Sequence, residues 1–146
     1  LANLIFGGTS NSKLFLNVRE KLSLCYYASS SYARSKNIIT VSSGVETGDR
    51  DRALEEIDRQ LKAVQRGDWE DWEQEGALQA IRSSLLSLSD SQGALENFYL
   101  GQIASGVHET PEELAAALEC VTKERIVAAA QTARLDTVYF LGGREA

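Results

Sequence analysis

Along most of this chain the hydrophobic positions recur at helical spacing, and in two short stretches they alternate instead. Residues 2–6 read as the end of a helix that Gly7-Gly8 would stop. After a polar loop, Ser12 can cap a helix over 12–22 that carries Leu14, Phe15, Val18 and Leu22 on one face. Cys25–Ala33 and Asn37–Glu46 follow as strands, the first rich in Tyr and Ser, the second carrying Ile38, Ile39, Val41 and Val45. The polar run from Arg34 to Asn37 is short enough to make them an antiparallel hairpin, with one face left for water or substrate.

The rest reads as helices until the last few residues. Asp49 offers a cap for a helix through Arg66, with Leu54, Ile57, Leu61 and Val64 inward and Gly67 as the stop. A helix from about Trp69 to Leu88 places Leu78, Ile81, Leu85 and Leu88 on one face, and Ser89-Asp90-Ser91 interrupts it. The next, to about Ser105, would turn Leu95, Phe98, Tyr99 and Ile103 inward. Thr110-Pro111-Glu112-Glu113 is a capping box with proline at the first helical position, and Thr122 starts a helix with Ile126, Val127 and Ala130 inward. Asp136–Leu141, with alternating Val138 and Phe140, is expected to close the chain as a strand. This order predicts an α+β domain of two layers, helices packed on a largely antiparallel sheet.

Composition narrows the function classes. A net charge of −6 and a pI near 4.8, with acidic and basic residues interspersed, argue against a nucleic-acid backbone as partner. No apolar run approaches the roughly 20 residues of a membrane span. The two cysteines, Cys25 and Cys120, suggest a reducing, cytoplasmic compartment and read as small buried apolar side chains. The abrupt helical start at Leu1 suggests that residues 1–146 are a single domain truncated at its N-terminus.

Catalytic chemistry is hard to assemble from these residues. The chain has one histidine, His108, in a polar loop before the capping box, whereas a zinc site commonly combines two histidines with a carboxylate. The carboxylate pairs Glu55-Glu56, Glu70-Asp71 and Glu112-Glu113 fit helix surfaces and first turns. Nothing local joins either cysteine to His108, Ser29-Ser30-Ser31 lacks a nucleophile elbow, and Gly7-Gly8 is too short for a phosphate loop. Arg19 and Tyr26 remain. Arg19 could cap helix carbonyls or pair with a carboxylate, and Tyr26 could be an edge-strand residue; equally, a helix and a strand packed together could aim both at one point.

A resemblance weighs on that choice. The run from Gly7-Gly8 through Ser12-Lys13-Leu14-Phe15, Arg19-Glu20 and Leu24-Cys25-Tyr26 resembles a segment of the C-terminal half-domains of M16 zinc peptidases. That group includes pitrilysin, insulinase and the mitochondrial processing peptidase. Its segment reads Gly-Gly, then Ser-x-Leu-Phe, then Arg-Glu-x-x-Gly-Leu-x-Tyr, and here Ser23 stands in place of the last glycine. The remaining helices and the closing strand follow the family's order.

The resemblance implies the LuxS/MPP-like metallohydrolase fold and a non-catalytic half that lacks the His-x-x-Glu-His motif. It implies no cofactor in this chain, with zinc expected in a partner half on the same polypeptide or on a separate subunit. It also implies that Arg19 and Tyr26 hold an extended peptide substrate in a chamber between the two halves. The alternative within the family is a metal-free scaffold or binding subunit with no role in proteolysis.

Overall fold

The computed structural model describes residues 1–142. Its two layers are a hairpin of β1 (Cys25–Ala33) and β2 (Ile38–Val45), and a set of helices packed on one side of it. The helices are α1 (Leu4–Gly8), α2 (Leu14–Lys21), α3 (Arg50–Arg66), α4 (Asp71–Leu86), α5 (Gln92–Ala104), α6 (Pro111–Glu119) and α7 (Lys123–Ala130). The α+β expectation holds, although the sheet has two strands among the described residues rather than three.

The core explains the packing order. Ile5 and Phe6 of α1, Leu14 and Val18 of α2, Leu24, Ala28 of β1, Ala53 and Val64 of α3, Trp69, Ala77 of α4, and Ile126 and Ala130 of α7 form one buried cluster. At about 25 cal/mol per Å² of apolar surface, these side chains carry most of the drive to fold. Neither α5 nor α6 contributes to the cluster.

Both α1 and α2 are wound as π-helices, and α1 ends on the glycine pair as expected, with Gly8 its last residue. Gly7 also serves close approach. A Cβ on Gly7 would lie 2.6 Å from Ser30 Oγ and 2.8 Å from Ser30 N, so the glycine lets α1 lie directly on β1. Gly67 ends α3, in the left-handed region with φ 79°. The capping box at Thr110 forms, with Glu113 N–H donating to Thr110 Oγ1 and Thr110 N–H to Glu113 Oε2. A second forms at Glu70, so α4 begins at Asp71 and leaves Trp69 ahead of it, buried.

Four expectations are corrected. Asp136–Leu141 forms no strand: β1 and β2 pair with each other, and the segment docks on neither outer edge of that hairpin. Phe140 sits instead beneath the Arg50 guanidinium, 5.3 Å from ring centre to Cζ. Tyr99 and Ile103 face outward, because α5 rests on the turns at 34–36 and 87–90 rather than on the core. Cys120 is exposed and Cys25 half-buried, both as free thiols. Finally, Asp49 gives no side-chain cap to α3, since its carboxylate pairs with Arg52.

Candidate functional site

The site is built by α2 and the start of β1. Ser12 Oγ accepts from Phe15 N–H at 3.4 Å, which opens α2, and Leu14 and Val18 are both 0% exposed against the sheet and α3. Leu22, expected on the same face, is exposed. At the other end Leu22 N–H donates to Asn17 C=O, Ser23 N–H to Arg19 C=O and Leu24 N–H to Val18 C=O. This closure resembles a Schellman motif widened by one residue, as π winding requires, and Ser23 turns it with φ 49°. A left-handed residue at this position accounts for the glycine in the family pattern.

That closure also decides what Arg19 is not doing. Backbone N–H groups take the carbonyls of Asn17, Val18 and Arg19, and no hydrogen bond among the described residues runs from the guanidinium to a carbonyl of α2. Arg19 lies over the ring of Phe15, 4.6 Å from Cζ to the ring centre, and among the described residues its one ion pair is with Glu20 at 3.6 Å. Both partners of that pair are solvated, which makes the attraction weak. Among the described residues no hydrogen bond occupies its N–H donors.

Tyr26 occupies a β-bulge. Cys25 pairs with Val45 and Tyr27 with Gly44, so Tyr26 is the extra residue between two consecutive partners. Bulges re-aim side chains where a strand borders a site. Here the residue is 86% exposed, and its hydroxyl has no hydrogen-bond partner among the described residues. Gly44 lets the Tyr27 ring lie flat on β2, since a Cβ there would come within 2.7 Å of Tyr27 Cε1. Beyond the bulge, one hairpin face presents Ser29, Ser31, Thr40 and Ser42 to solvent.

Polar groups missed by the sequence reading fix α2 from behind. Asn17 Nδ2 donates to Gln60 Oε1 at 3.2 Å, Gln60 Nε2 to Glu56 Oε1 at 2.6 Å, and Arg59 Nη1 to Glu56 Oε2 at 2.7 Å. Glu56 is therefore buried and bonded, not on the helix surface. Lys13 Nζ meets the buried Glu73 carboxylate at 3.1 Å and ties α2 to α4. The signal was present: Ala53, Glu56, Gln60 and Val64 fall on one helical face, beside the Leu54, Ile57 and Leu61 stripe that drew attention.

The donor set does not fit a metal. His108 is exposed in its loop, and no group of three or more His, Cys, Asp or Glu among the described residues could hold an ion. Among the described residues no helix is long and apolar enough to cross a membrane.

Comparison with known proteins bears on this arrangement. A family model described as the peptidase M16 inactive domain matches residues 1–81, which include α1, α2, the hairpin and α3. The chain belongs to the M16 peptidase family, as its inactive domain. This M16 chain is 40% identical over 143 residues to a protein of Bacillus subtilis (strain 168) named "Probable inactive metalloprotease YmfF", covering 98% of the chain and 34% of that protein. It is 27% identical over 127 residues to "Uncharacterized zinc protease YmxG" of the same organism, covering 85% of the chain and 31% of the relative.

Among solved structures, a conserved protein from Enterococcus faecalis V583 superposes with TM-score 0.81 at 35% identity, over 89% of this chain and 31% of that one. A protease from Helicobacter pylori superposes with TM-score 0.75 at 12% identity, over 89% of this chain and 32% of that one, a likeness of fold alone. The M16 chain thus spans about a third of the length of these relatives.

Proposed function

We propose that this chain is the non-catalytic, substrate-binding half of an M16-like zinc-dependent peptidase, and that Arg19 and Tyr26 hold the peptide. The observation that carries the reading is that, among the described residues, neither side chain gives a hydrogen bond to the protein itself. The Arg19 donors are free of hydrogen bonds to the described residues while the group stays stacked on Phe15, and Tyr26 stands on a bulge with its hydroxyl open. A guanidinium N–H and a phenol O–H both donate to a peptide carbonyl. They donate more strongly to the oxyanion formed when water adds to it. The unpaired outer edges of the hairpin give an extended peptide backbone N–H and C=O groups to bond.

The zinc and its base belong, on this reading, to a partner half in the same polypeptide or in a separate subunit. The test is hydrolysis of a quenched fluorogenic peptide by the two halves assembled. Arg19→Ala lowers kcat/KM by at least about tenfold, since one lost oxyanion donor costs on the order of 3 kcal/mol. An unchanged rate would sink the substrate role.

One observation favours a second reading, the metal-free scaffold. The relative that is 40% identical over nearly the whole chain is itself named as probably inactive. Under that reading the assembled protein hydrolyses no peptide and contains no zinc by elemental analysis.

A further inference from the structure

Phe15 is a large, half-buried aromatic residue set apart from the main core. It belongs neither to the buried cluster nor to the half-buried residues packed against that cluster, although its neighbours Leu14 and Val18 are wholly buried. Its contact is with Arg19, four residues on, whose Cζ lies 4.6 Å from the ring centre. An arginine on a π-helix facing solvent has many rotamers, and each must be abandoned when a ligand is bound.

The stack restricts them beforehand. It uses the face of the guanidinium and leaves the in-plane N–H donors for other work. The ion pair to Glu20 cannot do this, being long and solvated.

Resting on the substrate-holding reading of Arg19, we infer that Phe15 is the positioning residue of this site: an aromatic shelf that orders the guanidinium before the peptide arrives. Leu at this position fills a similar volume without a π face, so Phe15→Leu removes the shelf while α2 keeps its buried residues. Phe15→Tyr retains it.

The experiment has two readouts on the purified chain, with amide spectra as a check that each variant is folded. The first is the Arg19 Nε–Hε resonance. Ring current from Phe15 places Hε upfield in the native chain, Phe15→Leu returns it to the free-arginine position, and Phe15→Tyr holds it upfield. The second is the affinity for an end-capped nonapeptide of valine, threonine and serine. Phe15→Leu weakens it about two- to fivefold, Phe15→Tyr leaves it near native, and Arg19→Ala weakens it by more than either.

An Arg19 resonance unmoved by Phe15→Leu would overturn the inference whatever the peptide does. So would a moved resonance with unchanged peptide affinity, provided that Arg19→Ala weakens binding. If Arg19→Ala leaves binding unchanged while the resonance moves, the shelf stands and the substrate reading of Arg19 is what fails.

Discussion

The region from α1 through α3 and the region around α5 use hydrophobic residues in opposite ways. In the first, Ile5, Leu14, Val18 and Val64 are at most 1% exposed, and polar residues share the interior through Asn17, Gln60 and Glu56. In the second, Leu100 and Ile103 are 62% and 65% exposed, and the residue buried on α5 is Gln102. The sequence separates them in part, since α3 keeps polar and apolar residues on opposite faces whereas α5 has apolar residues nearly all round. What it does not reveal is which elements lie opposite those faces.

The strongest way to break this comparison is a pair of truncations read by denaturant unfolding. Leu14→Ala removes a side chain with no exposed surface and should cost about 3 kcal/mol, through lost burial and the cavity left behind. Leu100→Ser should stay within about 0.5 kcal/mol, because its side chain is already largely in water. A comparable loss at both positions would mean that the α5 face is covered in the folded chain in solution.

Glycines sharpen the contrast through a change of sign. At Gly7 an added Cβ would meet Leu14 Cδ1 at 2.7 Å and the Ser30 backbone nitrogen at 2.8 Å. The backbone of β1 cannot yield as a side chain would, so Gly7→Ala should cost about 1–3 kcal/mol. Gly101 of α5 has nothing within 4 Å of the same built atom. There Gly101→Ala should gain about 0.5–1 kcal/mol, the ordinary preference for alanine within a helix. Thermal unfolding of the two variants beside the parent checks both signs at once.

These differences show how far the sequence could be read. Strand β1 was legible to the residue, because a run rich in Tyr and Ser lies between two polar breaks. The capping box at Thr110 and the stop at Gly67 were equally plain, since local chemistry decides them. Gly7-Gly8 was legible as a helix end, whereas its second use, letting α1 touch a strand distant in sequence, was not. Asp136–Leu141 misled because alternation shows only that a segment could be a strand, whereas pairing along a sheet edge, which this segment does not make, is what forms one.

The site was half legible. Arg19 and Tyr26 were marked by their spacing within a resembling motif. The stacking on Phe15, the bulge and the buried Glu56–Gln60 pair depend on contacts no local pattern encodes.

The smallest expected effect falls at the joint between helix and strand that presents both candidate residues. Among the described residues two non-glycine residues take positive φ, Asn37 at 53° and Ser23 at 49°. They are not equivalent. Asparagine tolerates the left-handed region, and Asn37 also accepts a hydrogen bond from the Tyr32 hydroxyl at 2.9 Å. Ser23 is exposed and has no side-chain bond among the described residues to offset a penalty of about 1–2 kcal/mol. Ser23→Gly removes that penalty but adds about 0.4–1 kcal/mol of chain entropy to the unfolded state. The first term is the larger, so the variant should be more stable by about 0.5–1 kcal/mol, measured as a raised unfolding midpoint with an unchanged denaturant slope. Ser23→Val should move the other way, a β-branched side chain being least at ease there. If glycine destabilised the chain instead, Ser23 would be holding the turn by an interaction of its side chain, and the widened closure after Arg19 would not be what sets its conformation.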